Sequence, residues 1–329
     1  MQKSTISLFV LPALAGGLLA QVQQFEAKLP APFTTPSSDN RPRVVSQPNG
    51  AHLQVPQGFT IEEYASDFDT PRYMYTASGG EINILDSGGY GGVTISQSVS
   101  IIAPPGVEAG ILSDLTGIII TAGPNDVVTL SGLDIQGKGV GIEFKSGGAL
   151  FVDKCAIRHF HGGTGYGIWF EPTNAAKLYV QDTAVSDNNA GINIDPQGTG
   201  SAIVMLARVQ VENNGIGIGP DTRTSTGPGI NMTVRDSVLA GNGHGVWAFT
   251  SASKVPVGTL GSGPVHVTID HSAIAANTTG IKTDGLYSMV TVSNSTFTGN
   301  ANAVGLNSKV QLHTNNTRDN NGDDPTDQL

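Results

Sequence analysis

The sequence predicts an all-β solenoid, a single-stranded parallel β-helix, and three observations carry that expectation. The first is a phrase that returns: "VQDTAVSDNNAGINI" from Val180, "VRDSVLAGNGHGVWA" from Val234, "IDHSAIAANTTGIKT" from Ile269 and "VSNSTFTGNANAVGL" from Val292. Each copy reads as a strand, a small hydroxyl residue, an apolar residue, an Asn three positions on, and a second strand. The second is spacing. The central apolar positions Ile135, Ile157, Val185, Val211, Leu239, Ile274 and Phe297 fall 22 to 35 residues apart, which suits coils whose length varies through loops. The third is composition: 43 Gly in 329 residues, with 13% charged and 6% aromatic side chains. Apolar residues that are mostly Val, Ile and Ala, accompanied by Thr, Ser and Asn, favour strands and tight turns. A β-sandwich would not require one phrase to recur in aligned coils, and leucine-rich or propeller repeats differ in period or signature.

Along the chain, "MQKSTISLFVLPALAGGLLAQVQQ" places Lys3 before a short apolar run that reaches Ala20. Residues 1–20 read as a secretory signal peptide, broken by Pro12 and Gly16-Gly17 and too short for an easy membrane span. This predicts a secreted or periplasmic protein. Residues 21–50, rich in Pro, Ser, Gln and Asn, read as a flexible linker. Residues 51–80 hold several aromatics and are the candidate N-terminal cap, because an open coil end exposes a pairing edge. The β-helix is expected over 81–320: "EINILDS" and "VTISQSVSII" are its first strands and "GGYGG" the corner between them. Residues 321–329 read as a disordered acidic tail. The single Cys155 makes no internal disulfide and shares a column with Thr183, Ser237, Ser272 and Ser295, as a small core or corner residue. A net charge of -10 with no basic block argues against nucleic acid or an anionic membrane as partner.

Alternation turns Ile192 and Ile194, or Ile281 and Thr283, inward. Asn188, Asn214, Asn242, Asn277 and Asn300 fall at one corner, where a ladder is expected to bond along the stack and tolerate unusual backbone angles. The coil at Val211 is read with two residues fewer before its second strand, hence a tighter corner. Two outward columns follow from these registers: Glu143, Trp169, Asn193, Gly217, Trp247, Lys282 and Gly305, then Lys145, Glu171, Asp195, Gly219, Phe249, Asp284 and Asn307. Glu171 and Asp195 would lie one coil apart, about 5 Å on the strand spacing. Two carboxylates that close can share a proton or grip a cation, and retaining glycoside hydrolysis uses a similar separation. They are the catalytic candidates. Trp169 and Trp247, about 14 Å apart on the same spacing, would offer rings to a sugar, with Asn193, Glu143 and Lys145 as further binding candidates. The competing reading is a solvated face in which Lys145 neutralises its acidic neighbours. His159 and His161 supply two ligands without a third, so no metal site is expected, and nothing implies a cofactor.

From about Glu81 to Asn320, through its entry "GGEINILDSGGYG" and the coils that follow, the chain resembles the secreted bacterial right-handed β-helix proteins of the pectate-lyase-like superfamily. The resemblance implies right-handedness and a common use on polysaccharides. "GNGHGV" around His244 is similar to the Gly-His-Gly of polygalacturonases, yet the Asp-Asp pair and Arg-x-Lys element of that family are absent. Pectate lyases hold calcium with clustered aspartates beside a basic Arg, and the columns above set no such cluster beside an outward Arg. Residues 51–80 resemble the start of the propeller of sorbosone or glucose dehydrogenases, but no blades follow and that activity is not carried over. Two functions remain open. One is an exported structural, adhesion or surface-binding protein. The other is a polysaccharide-binding or polysaccharide-degrading enzyme, lyase or glycoside hydrolase, or a degenerate descendant of one. The partner in either case is a polysaccharide or cell-surface glycan.

The alternation makes its own prediction. Ile194→Asp should destabilise the protein by several kcal/mol in chemical denaturation, about 3 or more, because it strands a charge in the core. Asn193→Asp, one residue away and outward, should cost within about 0.5 kcal/mol. Equal losses would mean that inward and outward positions are exchanged.

Overall fold

Short runs of alternating apolar residues cannot bury their inward side alone, and here each coil buries it against the next. A computed structural model describes residues 74–77, 80–319 and 321–322. All of them fall in one compact unit, Ile61–Leu329. The expected signal peptide (1–20), linker (21–50), most of the expected cap (51–80) and all but two residues of the expected tail (321–329) lie outside the described residues.

Among the described residues each coil but the last passes through three strands, and successive coils stack them into sheets of 11, 10 and 9 strands. The first sheet runs from Met74–Ala77 and Glu81–Ile84 to Val310–Leu312. The second runs from Gly88–Gly89 to Thr317–Asp319, and the third from Val93–Ile95 to Asn302–Val304. Pairing between coils is parallel. Met74–Ala77 is the exception, lying antiparallel on Glu81–Ile84 at the end of the first sheet. Among the described residues no helix is long and apolar enough to cross a membrane.

The repeat phrase maps onto this architecture one position at a time. Ile111, Ile135, Ile157, Val185, Val211, Leu239, Ile274 and Phe297 pair in unbroken register along the second sheet, and all are buried. On the third sheet Ile142, Ile168, Ile192 and Ile218 form one inward row. Phe144 and Phe170 stack in the next row with ring centroids 4.5 Å apart. Each fully buried Ile or Phe contributes about 1.5–3 kcal/mol by leaving water.

Two corners flank each short strand of the second sheet from Ala156–Arg158 to Thr296–Thr298, and both hold a residue in the left-handed region. Lys154, Asp182, Arg208, Asp236, His271 and Asn294 hold φ between 46° and 53° at the first corner. His159, Asp187, Asn213 and Ala276 hold φ between 52° and 69° at the second. For non-glycine residues such angles cost about 1–2 kcal/mol each. The next residue at each corner turns inward and bonds along the axis, which offsets the cost. The unusual angles therefore fall on the residue before each ladder asparagine, not on the asparagine itself.

Asn188, Asn214, Asn242, Asn277 and Asn300 are buried, and each Nδ2 donates to the Oδ1 of the next at 2.9–3.1 Å, ending on Asn321. Each Oδ1 from Asn214 onward also accepts the backbone N–H of the preceding Asn. The hydroxyl column works alike: Thr183 Oγ1 accepts from Cys155 N, Ser272 Oγ from Ser237 N and Ser295 Oγ from Ser272 N. Cys155 is buried within it, and burial pushes its thiol up to about 12, so it stays protonated and unreactive.

Three residues after Asn188, Asn214, Asn242 and Asn277 stands a glycine, and the chain approaches the next coil too closely for a side chain there; after Asn300, whose strand ends this sheet, the position is Ala303. A Cβ on Gly191 would sit 2.7 Å from the Gly217 carbonyl oxygen, and one on Gly245 2.5 Å from that of Gly280. This column corrects the expected tight corner at Val211. Ile216 pairs with Ala190 and His244, two residues after Asn214, as in every neighbouring coil.

Asn242→Ala should remove the acceptor of Asn214 N–H and the donor to the Val211 carbonyl. Each buried group so stranded costs about 1–3 kcal/mol, so a loss of at least about 2 kcal/mol is expected in chemical denaturation. Exposed Asn231→Ala should change stability by less than about 0.5 kcal/mol.

Candidate functional site

The outward side of the third sheet carries every candidate residue. Glu143, Trp169 and Asn193 pair in register on adjacent coils. The next partner is Gly219, not Gly217, because the glycine column fixes Gly191 beside Gly217. Gly219 follows Ile218, which pairs with Val246, so it stands beside Trp247. Trp247 in turn pairs with Lys282. The second column shifts in the same way. Lys145, Glu171 and Asp195 are followed by Asp221, which bridges to Phe249, and Phe249 pairs with Asp284. Asn307 lies in a turn beyond it. Asp221 is the residue missed from sequence. Counting three residues from each ladder Asn, instead of matching Ile216 to Ile192, would have found it.

At the N-terminal half of the face, Lys145 Nζ lies 2.8 Å from Glu143 Oε1 and 3.2 Å from Glu171 Oε1. One ammonium thus serves two carboxylates, and Glu143 is only 8% exposed. Burial pushes the Glu171 carboxyl above its ordinary range, with Lys145 opposing and the charges of Glu143 and Asp195 adding to the rise. Burial likewise raises Asp195, opposed by the hydroxyl that Thr224 donates to it and reinforced by the charge of Asp221. Tyr166 packs edge-on to Trp169, centroids 5.2 Å apart. Its phenol is raised by burial and by Asp195 and Asp221. Trp169 Nε1 is buried without an acceptor.

The C-terminal half is built around Trp247. Its Nε1 donates to Asp284 Oδ2 at 2.6 Å, Lys282 Nζ sits 4.1 Å from its ring centroid, and His244 and Phe249 flank it at 4.2 and 4.6 Å. The Arg223 guanidinium lies over Phe249 at 4.5 Å while holding Asp221 at 2.6 Å. This bond raises the guanidinium above its ordinary value, so Arg223 stays charged. Burial and the Lys282 charge push His244 down, leaving a neutral imidazole at pH 7. Beside this cluster opens a cleft of about 560 Å³, lined by Arg223, Trp247, Phe249, Asp284, Thr250, Ser251 and the loop residues Leu260 and Gly261.

The two tryptophans therefore share a column without forming one open groove. Gly219 between them is buried, Lys282 covers Trp247, and the cleft lies at the Trp247 end only. The structure also brings Asp195 and Asp221 onto adjacent coils beside outward Arg223, a grouping that the sequence columns did not contain. Among the described residues no group of three or more His, Cys, Asp or Glu is placed to hold a metal ion.

The sign of the pH dependence at Asp195 follows from its raised carboxyl. A carboxylate less favoured folded than unfolded costs stability above its folded value, and that cost fades as the pH falls through the carboxylate range. Asp195→Asn, which keeps an acceptor for Thr224, should raise the Tm at pH 7. The gain should shrink as the pH is lowered to 4 and below. A gain independent of pH would contradict the buried charge.

A family model described as the right handed beta helix region matches residues 82–259. Among solved structures, the pectate lyase Pel9A is similar over 72% of this chain and 68% of its own, at 11% identity and a TM-score of 0.44. The A-module of the mannuronan C-5 epimerase AlgE4 from Azotobacter vinelandii is similar over 75% of this chain and 87% of its own, at 14% identity and a TM-score of 0.42. No curated protein matches the sequence. The family match covers more than half of the chain and agrees with three stacked parallel sheets: the chain belongs to the right-handed β-helix family.

Proposed function

We propose that the protein is an exported saccharide-binding solenoid that attaches to a glycan surface without cleaving it. The observation that carries this reading is the cleft at Trp247 and Phe249. Its wall is apolar and aromatic, through Trp247, Phe249 and Leu260, while Asp284, Ser251 and Arg223 supply hydrogen-bonding groups at its rim. A sugar ring has the same division, with C–H faces to set against aromatic surface and hydroxyls for polar groups. Export rests on the apolar run that ends at Ala20.

Catalysis by Glu171 and Asp195 is the weaker reading because neither lines the cleft, and a general acid must reach the group it protonates. Glu171 is tied to Lys145 and Asp195 accepts from Thr224. Arg223, kept charged by Asp221, is unsuited to abstract a proton.

Glycan-array screening followed by calorimetry tests the proposal. Phe249→Ala should weaken binding at least about tenfold, the equivalent of about 1.4 kcal/mol. Tyr179→Ala, on the first sheet, should leave binding within about twofold, as expected of a site the ligand does not touch. No saccharide binding, or binding indifferent to Phe249→Ala, would contradict the proposal. Release of new reducing ends or unsaturated products by the pure protein would overturn its non-catalytic part.

A further inference from the structure

Arg223 is the cation in the cleft wall and Lys282 lies over the ring of Trp247 beside it, and a carboxylate already holds each of them. Asp221 grips Arg223 through both of its oxygens, with Nε at 3.0 Å from each and Nη2 at 2.6 Å from Oδ2. Lys282 Nζ lies 3.4 Å from Asp284 Oδ2, the oxygen that also accepts from Trp247. Asp195, one coil before Asp221, receives a hydroxyl from Thr224 and adds a third negative charge. Further along the face, Lys145 is shared by Glu143 and Glu171. Lys254, in the loop that closes the cleft, is not among its lining residues. Across the face the acids Glu143, Glu171, Asp195, Asp221 and Asp284 outnumber the bases Lys145, Arg223 and Lys282, and the whole chain carries a charge of -10.

We propose that the cleft selects uncharged saccharides and rejects those bearing carboxylate or sulfate groups, with Asp221 as the specificity-determining residue. The proposal rests on the saccharide-binding reading above and narrows its ligand. Asp221 occupies the Nε–Nη2 edge of Arg223, so an anionic sugar would have to displace it to gain a two-bonded pair there, and the Asp221 side chain is 14% exposed. That carboxylate would then stand without a cation beside Asp195, and a partly buried charge stripped of its partner is costly. A hydroxyl makes no such demand: it donates to Asp284 or accepts from a guanidinium N–H while Asp221 keeps its grip. The negative field of the face also opposes the approach of an anionic polymer. Specificity of this kind comes from what is repelled as much as from what is held.

The experiment measures binding by calorimetry at low and moderate salt. Neutral glucan, mannan and xylan oligosaccharides are set against uronic acid oligosaccharides of matched length. The wild type should bind at least one neutral series and bind the uronic acid series at least about tenfold more weakly. Asp221→Asn should free the Arg223 guanidinium and gain uronic acid affinity by about tenfold, a change of about 1.4 kcal/mol. Asp284→Asn, which frees Lys282, provides a second route to the same gain should Asp221→Asn unfold, as monitored by circular dichroism. Uronic acid binding by the wild type equal to or tighter than neutral binding would overturn the selectivity and leave the saccharide reading intact. So would folded variants that gain nothing. Binding of neither series would overturn the saccharide reading, and this inference with it.

Discussion

The constraint on which the structure depends is that, in the coils from Ile157 to Phe297, two corners turn through the left-handed region while the coil keeps hydrogen-bonding distance from its neighbours. A corner so bent leaves backbone N–H groups pointing along the axis with no strand to receive them, and buried donors without acceptors are costly. The asparagine and hydroxyl columns meet that demand. Asn242 Oδ1 accepts from both the backbone and the side chain of Asn214, so one residue closes the corner and links the coils. The axial glycines belong to the same solution. With the Gly217 carbonyl so near a Cβ placed on Gly191, any larger residue would push the coils apart where the ladder draws them together.

A surface built on such a stack inherits its register. Fixing Asn188, Asn214, Asn242 and Asn277 also fixes which residues of the third sheet stand side by side four to seven positions later. Asp195, Asp221, Phe249 and Asp284 become neighbours although 89 positions separate the first from the last. The loops then decide which part of the face is open. The longest coil, between Leu239 and Ile274, carries its extra length after Phe249, and that segment brings Ser251, Leu260 and Gly261 to the cleft. Variation in coil length is thus the step that turns a uniform column into a local site.

The inner half of the molecule was legible in the sequence because its rules are periodic. Ile135 through Phe297, the asparagine ladder, the hydroxyl column and buried Cys155 all sit where the repeated phrase puts them. The outer half was legible only in part. Glu143, Trp169, Asn193 and Trp247 share a column as read, but the register slipped by two at Gly217 because Ile216 was matched to Ile192. The apolar residue was a poorer anchor than the glycine, since outward positions tolerate Ile and the close approach of backbones tolerates only Gly. That slip hid Asp221 and, with it, the reason why Arg223 is not free. Side-chain placement was beyond a periodic pattern altogether. Nothing in the spacing says that Lys282 lies on Trp247, that Glu143 is buried, or that the cleft opens beside only one of the two tryptophans.

The most direct test of the account is a crystal of the protein soaked with a neutral oligosaccharide. A sugar ring against the Trp247–Phe249 wall, with a hydroxyl on Asp284 and the Arg223–Asp221 pair unbroken, is the result the account predicts. A ligand seated instead on the first sheet, along the stacked Phe151 and Tyr179 rings, or one that parts Arg223 from Asp221, would contradict it.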